Sequence, residues 1–301
     1  MNDLSEILGS EEKKILVNLL GTGSSRQERL FDLDNPEKEL EVILNEICYS
    51  IAQGKPLYQR WTQEINGKRR QLSVPNNPLR IFLEPFLLDF IKGKRVHKNC
   101  HGGEYGWSVK KSLETHLPCA CSLSFDLKSA YENVSYERVY NFFYSSLSSS
   151  LPDGYRRNVA KFLAMISTVK YEDKRGLSQG SPISTFLFNR IAYPLDEKLS
   201  QKAEERRFRY SRWIDDFTIS SPDKRGVEYF LGAVELIGGH LPVSREKIFF
   251  QDTQTIYLLG HKITESSILK NSKEEKLRNK SQPLNFEEWF GENKIRSYCP
   301  W

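Results

Sequence analysis

Arg212-Trp213-Ile214-Asp215-Asp216-Phe217-Thr218-Ile219-Ser220 places two adjacent carboxylates between two runs of β-forming residues. That pattern predicts a hairpin with both acids at its tip. Carboxylates held together on a rigid turn repel each other unless a cation lies between them. The cation that suits an all-oxygen donor set is hard, such as Mg²⁺, and sites of this kind handle phosphates. Alone, an Asp-Asp pair is most often a solvated turn. The metal reading therefore needs a third carboxylate and a phosphate-handling surface elsewhere in the chain.

The rest of the chain leaves room for such a site. It has 301 residues, 39% hydrophobic and 28% charged, enough for one large domain or two ordinary ones with a true core. The most apolar run, Ile81 to Ile91, is broken by Glu84, Pro85 and Asp89 and is too short to span a bilayer. The acidic start, Met1-Asn2-Asp3-Leu4-Ser5-Glu6, lacks the pattern of a secretion signal. No membrane association and a cytoplasmic location are expected.

The net charge of +5 permits a nucleic-acid partner without demonstrating one. Basic clusters at Lys68-Arg69-Arg70, Lys92-Gly93-Lys94-Arg95, Lys110-Lys111 and Arg206-Arg207-Phe208-Arg209 alternate with aromatics such as Trp61, Tyr105 and Trp107. Such charge runs are usually solvated faces, and the interleaved rings favour nucleic acid. Five cysteines, an odd number, argue against a disulfide framework. His97, Cys100, His101, His116, Cys119 and Cys121 lack the paired spacing of a zinc site, so reduced, buried thiols are expected.

Periodicity predicts helices over 11–20 and 36–52, separated by Gly21-Thr22-Gly23-Ser24-Ser25. Residues 58–65 and 68–74 flank Asn66-Gly67 and read as a hairpin. Further helices are expected at 78–91, 108–116, 136–147, 155–166, 184–202 and 226–237. Strands are expected at 119–126, 247–251 and 256–263. Helices and strands mix without strict alternation, the pattern of an α+β fold.

Asp126 ends the strand Cys119-Ala120-Cys121-Ser122-Leu123-Ser124-Phe125-Asp126. If that strand and the hairpin share one sheet, Asp126, Asp215 and Asp216 meet at its edge. Two Mg²⁺ ions held there would activate a hydroxyl and neutralise a departing phosphate. Between the acids lies Gly176-Leu177-Ser178-Gln179-Gly180-Ser181-Pro182, whose glycines allow close backbone approach to a ligand and whose Gln179 offers an amide. Alone, that stretch reads equally well as a loop entering a helix.

Taken in order, these segments resemble the reverse transcriptases, specifically the prokaryotic retron, group II intron and phage-defence types. Phe125-Asp126-Leu127-Lys128-Ser129-Ala130-Tyr131 is similar to the family's first palm motif, and Gly176 to Pro182 with Ser184 and Asn189 to its second. Trp213-Ile214-Asp215-Asp216 resembles the third, usually Tyr-x-Asp-Asp. Gly67-Lys68-Arg69-Arg70 with Pro75 resembles a fingers motif, Lys247 the fourth palm motif, and Tyr257 to Ile263 the primer-grip hairpin. Trp213 for Tyr, Ser178 for a proline, and Leu258-Leu259-Gly260 in place of a Val-Thr-Gly segment are departures.

The resemblance implies a right-hand polymerase fold with an antiparallel palm sheet. Its divisions would be a helical extension (1–55), fingers (56–118), a palm (119–265, with fingers helices at about 136–175) and a reduced thumb (266–301). It implies RNA-directed DNA synthesis with Asp126, Asp215, Asp216 and the Leu127 carbonyl holding two Mg²⁺, or Mn²⁺ as a substitute. Tyr131 would screen the sugar 2′-hydroxyl. Lys68 and Arg70 would hold the triphosphate, Gln179 and Gly180 would shape the nucleotide pocket, and Lys247 would protonate the leaving pyrophosphate. Partners would be an RNA template, structured and non-coding, a DNA product, deoxynucleoside triphosphates, and a protein partner or second copy of the chain, in antiviral defence. The short C-terminal segment keeps one alternative open, template-independent or protein-primed synthesis by the same site; a second alternative, a non-catalytic RNA-binding subunit with a vestigial site, has the intact acids against it.

Overall fold

The computed structural model describes residues 8–21, 36–65, 67–223, 230, 241–252, 256–263 and 267–270. The chain divides into two compact units. One comprises residues 1–95 and 131–191, the other residues 96–130 and 192–301. Apart from Phe230, the helix expected at 226–237 lies outside the described residues, as does any helix after residue 270.

In the first unit, α1 (Ser10–Gly21) and α2 (Pro36–Ala52) present Leu16, Leu20, Leu40, Leu44 and Ile47 to the interior, all essentially buried. α2 opens on proline and carries Glu37 and Glu39 in its first turn, where its missing donor and their charge are best tolerated. The hairpin β1 (Tyr58–Ile65) and β2 (Lys68–Pro75) pairs over its whole length, from Tyr58 opposite Pro75 to Ile65 opposite Lys68. α3 (Asn77–Ile81) is capped by Asn76, whose side chain accepts from the Leu79 amide at 3.1 Å.

The helix then widens into a π turn (Phe82–Leu87) before α4 (Leu88–Lys92). Pro85 lies inside that turn and has no amide hydrogen to donate, a local reason for the widened turn. Phe82 meets Phe162 edge-on at 6.5 Å within the core. That residue belongs to α8 (Asp153–Ser167), which lies against α7 (Tyr136–Ser146). Two three-residue strands, β4 (Thr168–Lys170) and β5 (Arg175–Leu177), and helix α9 (Ser184–Ile191) complete the unit.

In the second unit, α5 (Val109–Glu114) precedes β3 (Cys121–Asp126). A short α6 (Ala130–Asn133) follows at the division between the units. Beyond it come α10 (Tyr193–Glu205), β6 (Arg209–Trp213), β7 (Asp216–Ser221), a 3₁₀ turn (Arg245–Lys247) and β8 (Phe249–Gln251). The sheet order is β6-β7-β3-β8, antiparallel at every pairing. Phe125 and Phe217 are register partners and stack at 4.9 Å. Each such fully buried ring contributes about 1.5–3 kcal/mol.

A second sheet, β11-β10-β9 (Ile268–Lys270, His261–Ile263, Ile256–Leu258), packs Ile256, Leu258 and Ile263 with Leu113 and Cys119. The single helix expected over 184–202 is instead two, α9 and α10. They break at Ala192, and Pro194 sits in the first turn of α10, where its missing amide hydrogen is tolerated. No described helix is long and apolar enough to cross a membrane.

Candidate active site

β3 and β7 run antiparallel in a register that sets Asp126 directly opposite Asp216. Side chains so opposed share one face of the sheet with their Cβ atoms about 5 Å apart. β6 and β7 close with Trp213 opposite Asp216, leaving Ile214 and Asp215 as the two turn residues. The Asp215 carbonyl accepts from the Leu127 amide at 3.2 Å, tying the turn to the end of β3. The sheet therefore sets the backbone of all three acids at one corner, although Asp216 is the first residue of β7 rather than part of the tip.

A backbone segment from Pro242 to Ser244 flanks this corner. The Lys128 amide donates to the Pro242 carbonyl at 2.7 Å, and the Ser244 amide to the Asp126 carbonyl at 2.9 Å. This leads into the 3₁₀ turn and aims Lys247 at the Asp126 carboxylate, where it forms an ion pair with Oδ2. The family resemblance assigns Lys247 to the leaving pyrophosphate. In the structure its contact is to the first acid.

Asp126 is 8% exposed, and its other carboxylate oxygen, Oδ1, is buried with no hydrogen-bond partner. A buried anionic oxygen left unpaired is costly. Asp216 is pushed up to about 7, first by burial and then by the charge of Asp215. An all-carboxylate donor set, an orphaned buried oxygen and a strained pair of like charges fit a hard divalent cation. Asp126, Asp215 and Asp216 are the side chains that would hold it, although among the described residues no three such side chains are already gathered into a finished ligand cluster.

In the other unit, the loop after β5 lies along β2. The Ser73 amide donates to the Gln179 carbonyl at 2.7 Å, and the buried Ser178 hydroxyl donates to the Ser73 carbonyl. Ser178 thus has a structural role where the family commonly has proline. Gly180 has φ +116°, and a Cβ there would lie 3.1 Å from Val74 and 3.2 Å from the Ser73 carbonyl. Gly176 is tighter still, since a Cβ would fall 2.3 Å from the Glu132 carbonyl oxygen. Tyr131 is half-buried, its hydroxyl 2.9 Å from Thr185 and its ring 5.9 Å from Phe188. Arg70 is exposed on β2, and the side chain of Lys68 lies outside the described residues.

The sequence reading overlooked Arg212 and Asp196. Both are fully buried, and their ion pair lies beneath the turn that carries Asp215. It also overlooked the histidines as scaffold. His116 bridges β6 and β7 by hydrogen bonds of 2.7 Å to Ser211 and to Ser220, and burial pushes it down to about 3. His101 stacks on Trp107 at 3.5 Å, and burial pushes it down to about 4. The four described cysteines are free thiols.

Residues 62–263 match the family described as reverse transcriptase (RNA-dependent DNA polymerase). The chain belongs to the reverse transcriptase family. Among curated relatives, it is 26% identical over 178 residues to the retron Mx162 reverse transcriptase of Myxococcus xanthus, covering 54% of this chain and 35% of that one. It is 28% identical over 173 residues to the retron Ec86 reverse transcriptase of Escherichia coli, covering 56% of this chain and 51% of that one. The chain therefore spans between about a third and a half of the length of these reverse transcriptases.

Among solved structures it is similar to apo telomerase from Candida tropicalis truncated from the C-terminal domain. There the TM-score is 0.52 and the identity 14%, covering 71% of this chain and 55% of that one. Telomerase from Candida albicans in complex with a fragment of telomeric RNA gives a TM-score of 0.54 at 14% identity, covering 72% and 46%. At that identity the likeness speaks for the fold alone, the right-hand polymerase fold that the motif order implied.

Proposed function

We propose that this chain is an RNA-directed DNA polymerase that adds deoxynucleotides to a primer 3′ hydroxyl with release of pyrophosphate. The observation that carries the proposal is the register of β3 against β7, which opposes Asp126 and Asp216 beside the Asp215 turn. Asp126 Oδ1 is buried and unpartnered while Oδ2 pairs with Lys247, so that corner keeps a carboxylate oxygen for a cation. Two bound Mg²⁺ ions, or Mn²⁺ in their place, would activate the attacking hydroxyl and offset charge on the departing phosphate.

The chain's own residues would do the rest. Asp126, Asp215 and Asp216 would hold the cations, with the Leu127 carbonyl assisting. Lys68 and Arg70 hold the triphosphate by fixed positive charge. The Tyr131 ring collides with a ribose 2′-hydroxyl, so deoxynucleotides are preferred. Gln179 and Gly180 shape the nucleotide pocket. Lys247 leaves Asp126 to donate a proton to pyrophosphate. The divisions into fingers (56–118), palm (119–265) and a short thumb (266–301) belong to the same reading.

The setting we assign is bacterial antiviral defence in the cytoplasm, with a structured non-coding RNA as template. It rests on analogy with the retron relatives and not on any residue's chemistry. The test of the activity is extension of a DNA primer on a defined RNA template, with and without Asp215→Asn. The test of the setting is sequencing of nucleic acid that co-purifies with the protein. An RNA of one defined sequence, extended into its complementary DNA, is the expected result.

A further inference from the structure

We propose that Arg212 and Asp196 form a buried clamp that fixes the Ile214 peptide and so positions Asp215, which makes them positioning residues for cation binding. The proposal rests on the metal-binding reading of the three acids. Arg212 sits in β6 and Asp196 in α10, and both side chains are wholly excluded from solvent. The guanidinium grips the carboxylate through two bonds, Nε to Oδ1 at 2.7 Å and Nη2 to Oδ2 at 2.6 Å. The Tyr210 hydroxyl donates to the same Oδ1 at 2.6 Å. Its remaining terminal nitrogen, Nη1, donates to the Ile214 carbonyl at 2.7 Å. One planar group therefore joins a helix to the turn.

The turn needs such a bond. Ile214 has φ +59°, a conformation that a β-branched residue adopts only under constraint. Hairpin turns that require a positive φ at this position favour glycine. The Ile214 carbonyl belongs to the peptide whose amide is that of Asp215, so the Arg212 bond orients the Asp215 backbone directly. Two backbone bonds hold Arg212 itself in place. The His101 amide donates to the Arg212 carbonyl at 2.8 Å, and the Arg212 amide to the Asn99 carbonyl at 2.8 Å. A Cβ at Gly102 would lie 2.5 Å from the Ile214 nitrogen, so the chain there passes hard against the turn.

A fully buried ion pair is weak evidence of stabilisation, because desolvation offsets the attraction. Placing this one under a strained catalytic turn, with a spare donor on the turn itself, points to positioning. Lysine could not serve, since a single ammonium lacks the fixed fork that spans Asp196 and the Ile214 carbonyl.

The experiment measures Mn²⁺ affinity by electron paramagnetic resonance and nucleotide incorporation in parallel, on the full chain. Arg212→Lys keeps a charge for Asp196 and loses the bridge. It should weaken Mn²⁺ binding about tenfold and incorporation about a hundredfold, in the range expected when a ligand's supporting contact is lost or a catalytic group shifts by about 1 Å. Arg212→Met with Asp196→Leu and Tyr210→Phe removes the buried charges together with the hydroxyl that bonds Asp196, and should do the same while remaining folded. Adding Ile214→Gly, which relieves the turn, should recover about tenfold of each loss. A merely structural pair would show no such rescue.

Folded variants with wild-type Mn²⁺ affinity would overturn the clamp, as would a failure of Ile214→Gly to recover any of the loss. If the wild-type chain binds Mn²⁺ but incorporates nothing, the polymerase reading fails, and the clamp is still decided by the Mn²⁺ affinities. If it binds no Mn²⁺, both fall.

Discussion

Removing the charge of Asp216 should stabilise the metal-free protein at alkaline pH and abolish activity at the same time. Asp216 is pushed from its ordinary 3.8 to about 7, by burial and by Asp215. A raised carboxylate binds its proton more tightly in the folded than in the unfolded state. Ionising it therefore costs stability. That cost is absent below the unfolded value near 4, grows as pH rises, and is complete above about 7. At about 1.4 kcal/mol per tenfold change in the protonation equilibrium, the upper bound is about 4 kcal/mol. Residual water access and relaxation reduce this to about 1–3 kcal/mol.

Asp216→Asn keeps the side chain's size and removes the charge. In EDTA, thermal or urea unfolding at pH 5, 6, 7 and 8 should show the variant's advantage small at pH 5 and full at pH 8. There it should amount to several degrees of melting temperature, by the usual scaling of a few degrees per kcal/mol. Added Mg²⁺ should then stabilise the wild-type protein and narrow the gap, since a ligand that binds only the folded state raises its stability. An advantage that does not vary with pH, or a variant less stable than wild type at pH 8, would refute the reasoning.

Three further outcomes are expected. Gly176→Ala drives a methyl to 2.3 Å from the Glu132 carbonyl oxygen and should cost roughly 2–4 kcal/mol, read as a lowered urea midpoint; unchanged stability would show that the backbone there yields freely. Tyr131→Ala should raise ribonucleotide incorporation relative to deoxynucleotide, measured by competition on one template, and an unchanged ratio would assign Tyr131 to structural contacts such as those with Phe188 and Thr185. Lys247→Met should slow incorporation about 10²-fold while leaving Mn²⁺ binding intact or tighter, because it frees Asp126; weakened binding would contradict that assignment.

The acids were legible in the sequence because their chemistry is carried by residue type and strand context. Asp126 closes an apolar strand and Asp215-Asp216 interrupt a β-forming run, so one sheet was the economical way to bring them together, and β3 and β7 are indeed register partners. The hairpin at Asn66-Gly67 and the first two helices were legible for the same local reasons. The failures are non-local or short. β4 and β5 are three residues each, too short for alternation to register. The break between α9 and α10 depended on Pro194, which apolar periodicity alone does not weigh.

Arg212 was missed because an arginine in a strand reads as solvent-facing. Its burial is decided by Asp196, sixteen positions earlier on a helix, and no spacing rule connects a helix residue to a strand residue across a turn. The strain at Ile214 was equally hidden, since isoleucine is a poor candidate for a positive φ.

Primer extension on a defined RNA, with the product sequenced, tests the central claim most directly. The account predicts DNA complementary to the supplied RNA, dependent on Mg²⁺ or Mn²⁺, and lost in Asp126→Asn, Asp215→Asn and Asp216→Asn alike. Product that ignores the RNA sequence, or synthesis that survives any one of those substitutions at wild-type rate, would contradict it.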